Sequence, residues 1–244
     1  MSRSSALLGA LALSGLIATA LVGCASGQGE PIVTIGPGDS GGSGPVEDVD
    51  FSAAWLDGGR LIGLVTYGSS SKDCQPVYGE TTYANGVLTV TVEAPKPDIA
   101  CTADYVSQVG IVGVPEGVDP AQELEIELTG AATGDTDLNG ADGLTPGDQT
   151  DYQPSAGWAD DGEFVLLSWG SSSCRPEIDA VEPIGPAEVR VTFVTPPEDQ
   201  VCTMDMAPRA DVVEVQGLEV AAGAFAILTG AEFADVRVPI LGTP

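Results

Sequence analysis

The chain has 244 residues, with 36 acidic and 8 basic side chains and no histidine, and its formal net charge is −28. A field of this sign repels nucleic acids and anionic lipid headgroups, so we expect neither as a partner. The absence of histidine excludes Ser-His-Asp and Cys-His nucleophilic sites and removes the commonest neutral ligand of zinc.

The first 45 residues predict an export signal followed by a tether. Arg3 precedes an apolar run over residues 6–22, which is marginal for a membrane span because a spanning helix needs about 20 apolar residues. The run ends at Leu21–Cys24, which resembles the lipobox of bacterial lipoproteins. The resemblance implies cleavage of residues 1–23, a diacylglyceryl thioether on Cys24 and anchoring on the extracytoplasmic face of the cell membrane. Residues 24–45 are rich in Gly, Ser and Pro, so we expect a flexible tether.

The rest of the chain repeats itself with an offset of 100 to 103 residues. The matched segments are 55–60 with 158–163, 67–71 with 169–173, 74–76 with 174–176, 101–104 with 202–205, and 128–130 with 228–230. We therefore predict a first repeat over residues 46–130, a linker over 131–154 and a second repeat over 155–244. After removal of the signal, the length allows one or two domains.

Strand patterns dominate both repeats. Residues 123–128 alternate strictly between acidic and apolar side chains, as a half-buried strand does, and residues 61–65 are nearly all apolar, as in a strand covered on both faces. The pair Asn85 and Gly86 favours a hairpin turn. No segment of ten residues has a convincing helical stripe. The predicted fold is therefore all-β, with two tandem small antiparallel β-sandwich or barrel domains of about six strands each, and one disulfide in each domain.

Four cysteines remain after Cys24, and outside the cytoplasm an even set predicts disulfides. Spacing alone allows three pairings. Because each repeat contains one pair of cysteines, the duplication favours Cys74–Cys101 and Cys174–Cys202. Each bridge would contribute roughly 3.5 kcal/mol by loop-closure entropy.

Two motifs could support chemistry, and we interpret both as structural. Ser69 and Lys72 match the S-x-x-K pattern of penicillin-recognising enzymes, but the second repeat keeps the serines and lacks the lysine. We therefore expect a polar turn at the exit of a buried strand. Asp104 and Asp205 each follow a cysteine by three residues, and we expect both to bond backbone N–H groups.

The weak candidate metal ligands are Asp135, Asp137 and Asn139, which imitate the opening of a calcium loop. Asp142 and Asp148 could add carboxylates, but Pro146 occupies the position of the required twelfth-residue acid. We therefore expect a plain, mobile linker here, and no cofactor.

Aromatic residues at matched positions have two interpretations. Trp55, Trp158, Trp169 and Tyr67 could line a groove for a sugar or a peptide, but such residues more often fill a core. We therefore favour the core for this set.

Together, the lipobox, the Gly-Ser-Ser-Ser segments and the repeated Cys-Thr-x-Asp motif resemble uncharacterised lipoproteins of high-GC Gram-positive bacteria. The resemblance implies export and lipidation but no activity. We predict a non-catalytic binding or envelope-structural module, with an envelope protein or cell-wall component as its partner. The alternatives are a carboxylate-dependent cell-wall hydrolase, a calcium-binding surface protein and a solute-binding lipoprotein, the last disfavoured because the chain lacks β-α alternation.

Overall fold

The structure, a computed structural model, describes residues 46–96, 98–144, 146, 149–216 and 223–243. The predicted signal peptide, the tether with Cys24, and Asp148 lie outside these ranges. Within the described residues, no helix is both long enough and apolar enough to cross a membrane.

The first repeat consists of short strands. They are β1 (Glu47–Asp48), β2 (Ser52–Leu56), β3 (Leu61–Gly68), β4 (Tyr78–Ala84), β5 (Val87–Val92), β6 (Val106–Gly113), β7 (Leu124–Gly130) and β8 (Ala132–Leu138). Short 3-10 turns lie at Asp57–Gly59 and Lys72–Cys74.

The second repeat has the same order of elements, so that β9 to β15 correspond to β2 to β8. They are β9 (Ser155–Asp160), β10 (Glu163–Gly170), β11 (Ile178–Gly185), β12 (Glu188–Phe193), β13 (Ala207–Glu214), β14 (Phe225–Gly230) and β15 (Phe233–Leu241). The all-β prediction is confirmed, with seven matched strands per repeat among the described residues instead of about six.

Each repeat distributes its strands between two groups. In the first repeat, β2-β3-β6 form one sheet and β1-β8-β7-β5-β4 form another. In the second repeat, the corresponding groups β9-β10-β13 and β11-β12-β14-β15 are joined into one seven-stranded sheet, because β15 pairs with β9 over two residue pairs. The prediction of antiparallel sheets holds only in part. β5 pairs parallel with β7, and β12 pairs parallel with β14. The physical reason is the intervening strand, β6 or β13, which crosses to the other group and returns the chain in the same direction.

Each repeat has its own apolar core between its two groups of strands. In the first repeat the core contains Trp55, Ile62, Leu88 and Ile126, which are almost fully buried. The equivalent cluster in the second repeat is built around Phe164, Leu166, Val191 and Leu228.

A third core lies between the repeats. Its first-repeat side includes Leu56 and Val65, and its second-repeat side includes Val165 and Leu167, all of them fully buried. This core explains why residues 61–65 are apolar on both faces, as predicted: one face of β3 covers its own repeat and the other covers its partner repeat. The repeats are therefore packed against each other rather than separated by a free linker.

Equivalent strands of the two repeats run in opposite directions across this shared core. Asp57 N, after the end of β2, donates to Ser155 Oγ at the start of β9 over 2.8 Å. Tyr67 Oη, near the end of β3, donates to Glu163 Oε2 at the start of β10 over 2.9 Å. The end of β3 therefore lies beside the beginning of β10, which is its equivalent strand in the second repeat.

The predicted linker over 131–154 is wrong in its first third, because Ala132–Leu138 form β8 and pair antiparallel with β7. Asn139 and Ala141, shortly after β8, are held against the first repeat. Trp55 Nε1 donates to the Asn139 carbonyl over 2.9 Å, and the buried Ala141 donates its N–H to the Pro120 carbonyl over 2.8 Å.

Candidate functional site

Both predicted disulfides are present in the structure. Cys74–Cys101 and Cys174–Cys202 join the segment after β3 or β10 to the segment before β6 or β13. Each bridge therefore ties together the two loops at one end of its repeat. We call these ends the disulfide ends.

The Gly-Ser-Ser-Ser segment and the Cys-Thr-x-Asp segment meet at the disulfide end of the first repeat. Ser69 Oγ lies 2.7 Å from Thr102 Oγ1, and Thr102 N donates to Ser71 Oγ over 3.1 Å. Ser70 N and Thr102 Oγ1 both donate to Asp104 Oδ1, the first over 3.0 Å. The motifs that revealed the duplication therefore form one hydrogen-bond network.

The second repeat builds the same network from its matched residues. Ser171 Oγ lies 2.8 Å from Thr203 Oγ1, and Thr203 N donates to Ser173 Oγ over 3.0 Å. Ser172 N donates to Asp205 Oδ1 over 3.1 Å. The predicted structural role of both motifs agrees with these contacts.

The carboxylates of the two networks are strongly favoured in their ionised form. Hydrogen bonds from Ser70 and Thr102 lower the pKa of Asp104 to about 2. Hydrogen bonds from Thr203 and Ser172 lower the pKa of Asp205 to about 2. Both groups are solvent-exposed, so the cause is the donors they accept from rather than burial.

Ser69 is not arranged as a nucleophile with Lys72. Its hydroxyl contacts Thr102, and the exposed Lys72 begins the 3-10 turn that leads to Cys74. Among the described residues, no hydrogen bond joins Ser69 to Lys72. The S-x-x-K pattern therefore belongs to the loop network.

A cleft opens beside each disulfide. Cleft 1, in the first repeat, has a volume of about 550 Å³, and cleft 2, in the second, has about 490 Å³. Residues at matched positions line both, including Tyr67 with Trp169, Cys74 with Cys174, Pro76 with Pro176, Gln108 with Arg209 and Ala131 with Ala231. The duplication has therefore preserved a concave surface as well as a fold.

The four aromatic residues at matched positions divide between the cores and the clefts. Trp55 and Trp158 are 1% and 3% exposed and belong to the cores, as predicted. Tyr67 and Trp169 line the clefts, and the half-buried Trp169 also packs against the shared core. The core interpretation was therefore right for Trp55 and Trp158, right in part for Trp169, and wrong for Tyr67, which is 44% exposed.

Cleft 1 carries a pair of stacked tyrosines. The rings of Tyr67 and Tyr105 have centroids 5.6 Å apart and planes inclined by 18°. The hydrogen bond to Glu163 fixes the direction of the Tyr67 ring. Burial of its hydroxyl, together with that bond, raises the pKa of Tyr67 to about 12, so the phenol is neutral at physiological pH. The pair presents a flat and pre-arranged surface.

The walls of the two clefts differ at one buried polar position. In cleft 1, Gln108 Nε2 donates to the Ser69 carbonyl. In cleft 2 the matched residue is Arg209, whose guanidinium donates to the carbonyls of Trp169 at 2.9 Å and Cys174 at 3.4 Å and forms an ion pair with Glu232. Arg209 Nε and Trp169 Nε1 are buried and meet no acceptor among the described residues.

The clefts are less acidic than the rest of the chain. They are lined by Lys72, Lys96, Arg175 and Arg209, which are half of the 8 basic residues. Cleft 1 sets its lysines against Glu47, Asp73 and Glu93, and cleft 2 sets its arginines against Glu177 and Glu232. Such a near balance of charge favours a neutral ligand over a polycation or a polyanion.

The two acids with raised pKa values lie outside the lining of the clefts. Burial raises the pKa of Glu163, which bonds Tyr67 at the contact between the repeats. Burial also raises the pKa of Asp211, which is held by an ion pair with Arg175 at 3.0 Å. Glu214 lies opposite Glu163 on β13 and raises its pKa further, but neither Glu163 nor Asp211 lines a cleft.

The weak calcium candidates lie on a strand instead of a loop. Asp135 and Asp137 are exposed residues of β8, opposite Glu127 and Glu125 of β7, and the Asn139 carbonyl is occupied by Trp55. Within the described residues, no three His, Cys, Asp or Glu side chains are grouped as metal ligands would be. The sequence pattern of a calcium loop therefore falls on β8 and on the residue that follows it.

Sequence reasoning missed Tyr105, Gln108 and Arg209 as cleft residues. The signal for Tyr105 was its position directly after Asp104, at the loop that the disulfide closes.

Comparisons of the chain with protein-family models, with curated proteins and with solved structures found no match. The clefts are therefore the basis for a functional proposal.

Proposed function

We propose that the protein is a lipid-anchored, extracytoplasmic and non-catalytic module that binds carbohydrate of the cell envelope in its two clefts. The observation that carries this proposal is that the same cleft is built twice, with an aromatic residue at the same position, Tyr67 or Trp169. Clefts with apolar walls and a few placed polar groups are the usual form of a small-molecule site.

A sugar fits the surface better than other ligand classes. The stacked Tyr67 and Tyr105 rings offer a flat apolar face of the kind on which a sugar ring packs. Close by, the network of Ser70, Thr102 and Asp104 supplies exposed hydroxyl and carboxylate oxygens. The net charge of −28 disfavours nucleic acids and phosphate-rich polymers, but it does not repel a neutral glycan.

A non-catalytic role agrees with the chemistry of the clefts. Residues shared by the two repeats are mainly Trp, Gly, Ser, Cys and Pro, which build the fold, whereas Lys72 has no counterpart. We further propose that each repeat is a sandwich-like module of two strand layers, supported by the separate core of each repeat. The ligand would then bind at the open end of the layers.

Carbohydrate binding is tested by co-sedimentation with protein-free polysaccharide from the envelope of the host cell. We expect the wild-type chain to sediment with this material and Tyr105→Ala to weaken binding about fivefold, because it removes one stacked ring worth roughly 1 kcal/mol. Met206→Ala is the matched control, since Met206 occupies the same place in the second repeat without lining cleft 2.

Two treatments of envelope material from which protein has not been removed identify the ligand. Periodate, which opens vicinal diols of sugars, should abolish binding, whereas protease treatment should leave binding intact. Binding that survives periodate and is lost after protease treatment would show that the ligand is a peptide and not a carbohydrate.

Lipid anchoring is tested at Cys24. The predicted thioether should carry the wild-type protein into the detergent phase of a detergent–water separation, and Cys24→Ala should leave an unprocessed precursor and less mature protein on the membrane. Wild-type protein in the aqueous phase with an unmodified N-terminal peptide would contradict the lipobox interpretation.

A further inference from the structure

Building on the proposed carbohydrate binding, we propose that the protein is bivalent and bridges two glycan segments, one in each cleft, at opposite ends of a rigid body. Three features lead to this proposal: the direction in which the repeats cross, the distance between the clefts, and the packing that fixes their orientation.

The clefts lie at opposite ends of the folded body because equivalent strands of the two repeats run in opposite directions. Tyr67 of cleft 1 contacts Glu163, the first residue of β10. Trp169 of cleft 2 is six residues further along the same strand. At about 3.3 Å per residue, β10 separates the two aromatic positions by roughly 20 Å. A sugar ring stacked in one cleft therefore cannot also occupy the other.

The separation is held by a packed interface instead of a flexible linker. Leu56 and Val65 pack with Val165 and Leu167 across the interface in a fully buried cluster. A Cβ at Gly63 would lie only 3.1 Å from Val165 Cγ1, which shows how closely the sheets approach. Two ligands would therefore be held at a fixed distance.

The experiment compares binding with cross-linking. The chain from residue 24 is produced with Cys24→Ala in an oxidising compartment, so that no lipid holds several copies together. Calorimetry with size-selected oligosaccharides from the envelope polysaccharide gives the stoichiometry. Light scattering with polysaccharide particles measures agglutination, and sedimentation confirms that the protein is monomeric.

To block each cleft separately, an exposed valine that lines the cleft is replaced by tryptophan. Val77→Trp fills cleft 1 and Val194→Trp fills cleft 2. Val46→Trp and Val201→Trp are the controls, because both valines are exposed and neither lines a cleft.

We expect two oligosaccharides per wild-type chain and agglutination of the particles. Either single filling should reduce the stoichiometry to one, abolish agglutination and lower the apparent affinity for particles about 100-fold. The two controls should behave as wild type.

One oligosaccharide per wild-type chain, or agglutination that survives each single filling, would overturn bivalency while leaving carbohydrate binding in place. A wild-type chain that binds neither oligosaccharide nor particles would overturn the proposed function and the bridge together.

Discussion

Asp104 and Asp205 show how a single acid can organise a loop without being buried. Each carboxylate accepts hydrogen bonds from a serine segment and from a threonine that neighbours a disulfide cysteine. The loops would otherwise leave backbone N–H groups unpaired at the ends of strands. The ionised form of the acid therefore belongs to the native state.

The stability contributed by these acids depends on pH. Their folded pKa of about 2 lies below the ordinary value of 3.8, so the contribution is complete above about pH 4 and is lost as the pH falls towards 2. Asp104→Asn should lower the melting temperature at pH 6, and its difference from wild type should shrink steeply as the pH falls towards 2. Thermal unfolding between pH 2 and pH 7 checks this.

Two comparisons make this measurement specific. Asp205→Asn should show the same pH dependence, since it removes the equivalent acid. Asp135→Asn, on the exposed face of β8, lies outside the networks and should not show it. A constant difference between wild type and Asp104→Asn at every pH would contradict the role of the ionised carboxylate.

At the residue scale, the sequence predicted which cysteines pair better than it predicted which aromatic side chains are exposed. The duplication was sufficient to pair the four cysteines, because each repeat contains one pair. It could not separate Trp55 from Tyr67, since both are aromatic residues repeated at matched positions. Their different environments depend on where each strand emerges from the body, which only the three-dimensional packing determines.

The turns that follow β7 and β14 explain another repeated motif, Leu-Thr-Gly. Gly130 and Gly230 have positive φ angles of 98° and 81°. A Cβ at Gly130 would lie 2.5 Å from the Val92 carbonyl oxygen, and one at Gly230 would overlap the Phe193 carbonyl oxygen. These turns carry the chain tightly past the end of a neighbouring strand, so only glycine fits.

Replacing either glycine by alanine should therefore be costly. We expect Gly130→Ala and Gly230→Ala each to lower the free energy of unfolding by about 3 kcal/mol, from the strained φ and the overlap together. Gly86→Ala separates the two causes, because Gly86 has a φ of 92° but open space around its Cβ position. It should cost only about 1 kcal/mol. Urea denaturation gives all three values, and equal losses would exclude the overlap as a cause.

At the scale of elements, the strands with strong alternation or continuous apolar runs were predictable, and β8 was not. Its outward side chains include Asp135 and Asp137, and its inward positions include Ala132 and Gly134, so only its last residue, Leu138, is a large apolar residue of the kind that indicates a strand. It is a strand because β7 offers an edge with the correct register. Such tertiary pairing leaves almost no trace in local composition.

For the whole molecule, the shared core implies that the two repeats unfold together. Leu167→Ala in the shared core and Leu228→Ala in the core of the second repeat each truncate a fully buried leucine. We expect each to cost about 3 kcal/mol and to leave a single calorimetric transition whose van't Hoff and calorimetric enthalpies agree. A second transition in Leu228→Ala, at the wild-type temperature, would show that the first repeat is stable on its own.

The direction in which the repeats cross has a consequence for how the molecule could have arisen. Val65 and Leu167 are equivalent residues on opposite sides of the shared core, as are Val109 and Ala210, and Gly63 faces Val165, its own counterpart. Equivalent patches in mutual contact are the mark of an isologous interface, with Gly63 and Val165 at the pseudo-two-fold axis. The chain is thus organised like a symmetric homodimer whose subunits have been fused. Fusion frees the contact from any dependence on protein concentration, and it allows the halves to diverge, as Gln108 and Arg209 have done.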